Sequence, residues 1–413
     1  ALLSACNELQ DAENGRMIHG HIVQMGYDGH PFVGSMLLDM YAKLGLLCEG
    51  LQVFYRMSIQ DVVAWSTLIA GYAKEGLLSD VMVFFNRMQL ENISPNVVTF
   101  LATLKACNNA MNIDKGREFH NEIVQRGFET EIAIGNNLVD MYSKNGSIDE
   151  AKKVFNSLIV KDDVAWSALI GGYAEAGLDL ESMSCFYEMH NEGICINMHG
   201  FSCILKACGN LEALNKGQEI HMIITKVGFD EELHVGNALV DMYAKCGWIF
   251  EAERVFDKLA YHDVVSWNAL MTGYSEYGLL GKLLDCFQKM KAEQVTGDPI
   301  TFACTLKCCS NMGSLQNGRE IHVEVMYKTF DGVMLVIGAL VDVYAKCGSL
   351  ADAQKIFDSL PTQSIVLWNS LIAGYANQGH VTRVLECLCQ MRAQRVIPNH
   401  ATYVYVVKAC SNI

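Results

Sequence analysis

The stretch Trp65-Ser66-Thr67-Leu68-Ile69-Ala70-Gly71-Tyr72 returns in kindred form as Trp166 to Tyr173, Trp267 to Tyr274 and Trp368 to Tyr375, each copy 101 residues after the last. A fixed period of this kind argues against one closed core, because a chain that repeats itself grows by stacking like units. Within each copy the Trp, Leu, Ile or Met, and Tyr fall at i, i+3, i+4 and i+7, the spacing of one helix face.

The 101-residue unit divides again into 35, 35 and 31 residues: Val62 to Asn96, Val97 to Glu131 and Ile132 to Asp162. Positions 4, 7, 8 and 11 of each carry the first apolar face: Trp65, Leu68, Ile69, Tyr72; then Phe100, Thr103, Leu104, Cys107; then Gly135, Leu138, Val139, Tyr142. Positions 20, 23, 24 and 27 carry a second, as in Val81, Phe84, Phe85, Met88. Between them Gly76 and Gly146 suit a helix end and turn. Each subunit is therefore expected to be a helix-turn-helix hairpin that buries its apolar face only against neighbours.

In this register the chain is one continuous array, 1–413: a partial hairpin 1–30, then 31–61, 62–96, 97–131, 132–162, 163–197, 198–232, 233–263, 264–298, 299–333, 334–364, 365–399, and a partial hairpin 400–413. Both ends cut through a repeat, and the opening Ala1-Leu2-Leu3 has neither Met nor a basic presequence, so a longer natural protein is expected.

No run of about 18 apolar residues predicts a membrane span. The net charge of −15 opposes a uniformly basic nucleic-acid domain but leaves room for a local basic stripe. Of the 16 cysteines, twelve follow the period, among them Cys6, Cys107, Cys208, Cys309 and Cys410, as small core residues do. A reducing compartment is expected for them.

The 35-35-31 cycle, the phrases Asp140-Met141-Tyr142-Ser143-Lys144-Asn145-Gly146 and Asp241-Met242-Tyr243-Ala244-Lys245-Cys246-Gly247, and the recurrent Leu104-Lys105-Ala106-Cys107 resemble the pentatricopeptide repeat family. The likeness is to the land-plant organellar class whose repeats alternate standard, long and short types, and it covers essentially the whole chain. It implies an all-α fold, a right-handed α-solenoid superhelix of stacked helix-turn-helix hairpins. It also implies single-stranded RNA binding, one base per repeat.

In that family the residue at position 5 and the last residue of a repeat jointly choose the base. Carried over, the pairs are Ser35 with Asp61, Ser66 with Asn96, Asn136 with Asp162, Ser167 with Asn197, Asn237 with Asp263, Asn268 with Asp298, and Asn369 with Asn399. The family's rule reads them as G-A-x-U-A-x-U-U-x-x-Y. The gaps fall at the long repeats, with Leu101 and Glu131, Ser202 and Glu232, Ala303 and Val333, and at the short repeat with Gly338 and Ser364.

Positions 5, 9 and 13 share a helix face, which the spacing places opposite the packed one. Position 13 holds Lys43, Lys74, Lys144, Lys245 and Lys346, and position 9 of the long repeats holds Lys105, Lys206, Lys307 and Lys408, so phosphates would find cations beside the base readers. Glu175 and Glu276 interrupt the stripe, and an ordinary solvated helix face is the plainer reading of it.

Plainer readings also weigh on the other motifs. His19, His120, His221 and His322 sit thirteen residues after a Cys, half a zinc site in form, yet they occupy the position of Phe85 and Phe155 and read as packing. Asp39, Asp140, Asp241 and Asp342 stand four residues before a Lys and read as i,i+4 ion pairs rather than catalytic carboxylates. The repeated Trp lies on the apolar face and reads as core rather than a base-stacking platform.

The function expected from the resemblance is sequence-specific binding of single-stranded organellar RNA, as the specificity part of a C-to-U editing or other RNA-processing factor, with editing-complex proteins as further partners. A zinc deaminase needs a His-x-Glu and a Pro-Cys-x-x-Cys set, and the chain is expected to carry neither, so no catalytic residue, metal or cofactor is expected in this segment. No small-molecule substrate or membrane partner is expected either. A mitochondrion is the expected location, with the chloroplast as the alternative. The competing function is an α-solenoid scaffold that holds protein segments, which the acidity would suit.

Overall fold

The computed structural model describes residue 3 and residues 11–27, 29–330, 332–360 and 362–411. Cys6 lies outside the described residues. Among those described, 24 α-helices and no strands follow one another as the arms of helix-turn-helix hairpins, an all-α repeat solenoid.

One hairpin shows why. Helix Val62–Lys74 starts at Asp61, whose side chain accepts the Ala64 backbone N–H at 2.9 Å and so satisfies one donor of the open first turn. Gly76 then takes φ +74, a left-handed conformation, and the Leu77 N–H returns to the Tyr72 carbonyl at 3.1 Å. Helix Leu78–Leu90 follows at once.

Trp65, Leu68, Ile69 and Tyr72 are all buried, as are Trp166, Trp267 and Trp368. Each large side chain so buried contributes on the order of 1.5–3 kcal/mol. A Phe from the preceding hairpin meets every one of these Trp rings edge-on, with centroids 4.6 Å apart for Phe54 and Trp65 and 4.5 Å for Phe357 and Trp368. The in-frame thiols of Cys107 and Cys309 are buried too, and burial pushes both up to about 12, which makes them inert packing. The fifteen described cysteines are all free thiols.

The glycine of the recurring phrase answers to a close approach of backbones. A Cβ on Gly273 would sit 2.7 Å from the Ala244 Cβ, and one on Gly172 would sit 2.5 Å from the Ser143 Cβ. First helices of adjacent hairpins thus meet through a glycine on one and a small residue on the other.

The helices cluster into two compact units, Ala1–Ala207 and Cys208–Ile413. In the first, Pro31–Lys43, Val62–Lys74, Val97–Asn109, Ile132–Lys144 and Asp163–Glu175 stack in chain order. In the second, Leu233–Lys245, Val264–Glu276, Pro299–Asn311, Met334–Lys346, Ile365–Asn377 and His400–Ser411 do the same. Second helices form another layer and lean on first helices, as Ile148–Ser157 does on its own, Ile132–Lys144, and on the next, Asp163–Glu175. No helix among the described residues is long and apolar enough to cross a membrane.

Candidate nucleic-acid interface

The last residue of each pair is a helix N-cap, and this fixes where it points. Asp162 accepts the Ala165 N–H at 2.9 Å, Asp298 the Thr301 N–H at 2.9 Å, Asn96 the Thr99 N–H at 3.0 Å and Asn197 the Gly200 N–H at 3.0 Å. The cap's remaining hydrogen-bonding capacity faces back toward position 5 of its own hairpin. Asn136 Nδ2 donates to both oxygens of Asp162 at 2.9 Å, Asn237 to Asp263 at 3.2 Å, Asn268 to Asp298 at 3.0 Å and Asn369 to Asn399 at 3.2 Å. Ser66 donates to Asn96 at 3.3 Å.

Two pairs are not joined in this way. Ser35 donates to the Pro31 carbonyl of its own helix at 2.9 Å, while Asp61 caps the following helix. Asn197 turns its amide to the Asp163 carboxylate at 3.2 Å rather than to Ser167.

One expectation is corrected. Position 5 does not lie on an open face opposite the packed one: Ser66, Asn136, Ser167, Asn237 and Asn268 are between 2% and 7% exposed. A first helix packs on its own second helix and on the first helices beside it, so it has more than one buried side, and position 5 falls in the seam.

Around Asp263 burial raises the carboxyl pKa, but the backbone N–H and hydroxyl of Ser266 and the Asn237 amide outweigh that and hold it below the usual carboxylate range. A charged acceptor is therefore retained beside the Asn237 amide.

Lysines line the same seams, mostly paired. Lys43 meets Asp39 at 2.7 Å, Lys144 meets Asp140 at 2.9 Å, Lys245 meets Asp241 at 2.7 Å and Lys346 meets Asp342 at 2.8 Å, while Lys74 donates to the Lys43 carbonyl at 2.8 Å. Part-exposed i,i+4 pairs of this kind are worth only about 0.3–0.5 kcal/mol, so a phosphate could compete for the ammonium. Lys43, Lys74 and Lys105 share a groove of about 440 Å³ with Ser66, Val98 and Leu101.

Two further residue sets belong to the site and lie outside the sequence expectations. Position 2 carries an exposed apolar side chain outside the core period, as in Val63, Val98, Val164, Val265, Ile300 and Val366. Val63 lines a second groove, of about 590 Å³, with Ser35 and Asp61. The signal was a β-branched residue recurring off the helix core stripe. The other set is the hydroxyl three residues after the cap, Thr99, Ser266 and Thr301, which completes a capping box with Asn96, Asp263 and Asp298. Its signature in the sequence is a hydroxyl residue three positions after an Asn or Asp at the head of an apolar run.

The remaining motifs have structural partners. The Nδ1 atoms of His19, His120, His221 and His322 lie 2.8 to 2.9 Å from the hydroxyls of Tyr41, Tyr142, Tyr243 and Tyr344. The expected absence of His-x-Glu is corrected: it occurs as His120-Asn121-Glu122, His190-Asn191-Glu192 and His322-Val323-Glu324, though Pro-Cys-x-x-Cys does not, and His120 and His322 face Tyr142 and Tyr344 while Glu122 pairs with Arg126 at 2.9 Å and Glu324 with Lys291. No cluster of three or more metal-ligating side chains forms among the described residues.

Models of the pentatricopeptide repeat match residues 60–109, 262–311 and 363–412, and residues 136–162, 164–194 and 237–264. A chloroplastic pentatricopeptide repeat-containing protein of Arabidopsis thaliana is 33% identical over all of this chain and 67% of its own length. A mitochondrial one from the same plant is 35% identical over 99% of this chain and 60% of its own length. Among solved structures, the pentatricopeptide repeat protein PPR10 in complex with an 18-nt psaJ RNA element superposes with a TM-score of 0.75 at 18% identity, over 93% of this chain and 58% of that one. The chain thus spans about two thirds or less of the length of these relatives.

Proposed function

Because the chain belongs to the pentatricopeptide repeat family, we propose that it binds single-stranded organellar RNA and that each reading hairpin presents one base to its position-5 and last residues. The observation that carries this is the set of part-buried, mutually hydrogen-bonded pairs, Asn136 with Asp162, Asn237 with Asp263 and Asn268 with Asp298. Each holds a polar group in fixed orientation, and the next hairpin opens with an exposed apolar side chain, Val164, Val265 or Ile300, available to the face of a base.

In this reading the repeats belong to the class that cycles through standard, long and short lengths, 31–399 holding the complete hairpins. The RNA runs G-A-x-U-A-x-U-U-x-x-Y along the chain. Lys43, Lys74, Lys144, Lys245 and Lys346 serve phosphates. The segment supplies specificity to C-to-U editing or another RNA-processing step whose chemistry lies elsewhere, in a mitochondrion or, as the alternative, a chloroplast. The names of the relatives, mitochondrial and chloroplastic, support an organelle of one kind or the other.

The test is a competition among RNAs carrying each of the four bases opposite Asn268, for the natural protein and for Asn268→Ser, at fixed salt. The family's rule moves the preference at that nucleotide from U toward G and leaves its neighbours alone, by about 1–3 kcal/mol of discrimination. A folded Asn268→Ser protein that ranks the bases as before would refute this register. The acidity, −15 overall, favours the protein scaffold as a second reading, and a natural protein with no RNA affinity at low salt would support it.

A further inference from the structure

The helix that follows each reading pair begins at the pair's second member, so its third residue is carried back against the first. Where that residue is Thr, a third group joins the site. Thr301 Oγ1 accepts the Asp298 N–H at 3.1 Å and lies 2.6 Å from Asn268 Oδ1. Thr402 repeats this on Asn369 at 2.6 Å, and Thr99 Oγ1 lies 2.7 Å from Ser66 Oγ. All three Thr side chains are fully buried.

The other pairs lack the contact. Ala165 follows Asn136, Gly200 follows Ser167, and Ser266 follows Asn237 but turns its hydroxyl to Asp263 at 2.9 Å. At these sites Asn136 Oδ1, Ser167 Oγ and Asn237 Oδ1 are buried without a hydrogen-bond partner. All three residues are more than nine-tenths buried.

We infer that the third residue of the following hairpin is a positioning residue that sets how selectively the reader before it tells one pyrimidine from the other. This rests on the base-reading function proposed above and goes beyond the two-residue rule, which treats Asn136, Asn237 and Asn268 alike. A hydroxyl has one proton. With Thr301 Oγ1 already accepting the Asp298 N–H, that proton goes to Asn268 Oδ1, the nearer acceptor at 2.6 Å against 2.9 Å to Asp298 Oδ1. One Nδ2 proton goes to Asp298, and the Thr301 bond holds Oδ1 turned into the seam, so the group the amide presents to a base is its second N–H donor. That donor suits the C4 carbonyl of uracil and opposes the C4 amino group of cytosine. In Asn136 and Asn237 no hydroxyl holds the buried amide oxygen, so the side chain can rotate to bring that oxygen to the cytosine amino group.

The long hairpins thereby gain a role. Their own position-5 residues, Leu101 and Ala303, have no amide or hydroxyl, but their third residues, Thr99 and Thr301, complete the reader of the hairpin before. Gly200 is the exception: a Cβ there would lie 2.4 Å from Ile196 and 2.7 Å from Ser167 Oγ, so that site has no room for a lock.

The experiment is a competition assay with U or C placed singly opposite Asn136, Asn237 and Asn268, for the natural protein and for Thr301→Val, which keeps shape and removes the hydroxyl. The expected result is a U-over-C ratio about three- to tenfold higher opposite Asn268 than opposite Asn136 or Asn237, the worth of one neutral hydrogen bond, and a fall of similar size opposite Asn268 in Thr301→Val. A structural role alone would weaken both bases equally and leave the ratio in place. An unchanged ratio in folded Thr301→Val overturns the inference. Should that variant not fold, equal ratios at the three nucleotides of the natural protein overturn it. If the natural protein prefers no base at any of these positions, the base-reading function itself fails and the inference with it.

Discussion

Asn136 donates to both carboxylate oxygens of Asp162 at 2.9 Å, and one of those oxygens also accepts the Ala165 backbone N–H at 2.9 Å. One carboxylate therefore orients the Asn136 amide and starts the next helix. Substitution separates the two roles. Asp162→Asn keeps a good cap, so stability should change little, while the preference for U opposite Asn136 relaxes toward either pyrimidine. Asp162→Ala should lose the reading preference and about 0.5–2 kcal/mol of stability as well. Chemical denaturation alongside the RNA competition checks both; an Ala variant as stable as the Asn variant would remove the capping role.

The lysine stripe is tested by charge. Lys144 is tied to Asp140, whereas Lys74 rests on a backbone carbonyl. Lys74→Ala should weaken every RNA alike and flatten the slope of log affinity against log salt by about 0.7, one phosphate's share. Asp140→Asn should free Lys144 and steepen the slope. If a salt titration shows neither change, the lysines are solvated surface.

Acid sensitivity should follow the buried histidines. Burial holds His120 and His221 below the ordinary value of 6.5, in the neutral form. Between the folded and unfolded pKa values the unfolded chain binds more protons, so this contribution is full above 6.5 and is lost as pH falls from there toward the folded value. Replacing both by Phe, the residue in the equivalent place at Phe85 and Phe155, removes the titration. Between about pH 7.5 and about pH 5.5 the natural protein should lose more Tm than His120→Phe/His221→Phe. Parallel losses would show that other groups govern this range.

Met111 stands where Gly76, Gly146 and Gly313 end their helices, with φ +49 and its side chain exposed. A left-handed conformation costs an L-residue about 1–2 kcal/mol, part of which glycine gives back as backbone entropy in the unfolded chain. Met111→Gly should raise local stability by about 0.5–1 kcal/mol. Hydrogen exchange across residues 97–125 reads this directly, and faster exchange there would contradict it.

Trp65, Leu68, Ile69 and Tyr72 were legible as core because burial against one partner leaves a 3.6-residue imprint. Ser66 was not legible as buried, because its seam comes from a second partner, the next first helix, whose contact has no period of its own. The lock of Thr301 on Asn268 joins residues 33 apart in different hairpins, and only the capping half of its role is written locally. Gly273 was visible as a recurring letter, but its reason, the Ala244 side chain against it, lies in another helix. Local periodicity reports how one helix meets one neighbour; the candidate site is built where a helix meets two.

The double duty of the N-caps bears on how such a chain can change its target over generations. Asp61, Asn96, Asp162, Asn197, Asp263, Asp298 and Asn399 each hold the first turn of a helix. Asn, Asp and Ser, with Thr slightly behind, start helices about equally well. On the base-reading function proposed above, mutation among them rewrites what is recognised while folding stays near neutral, so new specificities lie one step away along a connected path. Glu131, Glu232 and Val333 make no side-chain capping bond and lie off that path, yet a change to Asp at any of them would supply a missing cap and a polar group beside position 5 together. The long hairpins 97–131, 198–232 and 299–333 are thus the ones where a polar group could arrive beside position 5 with a gain in stability.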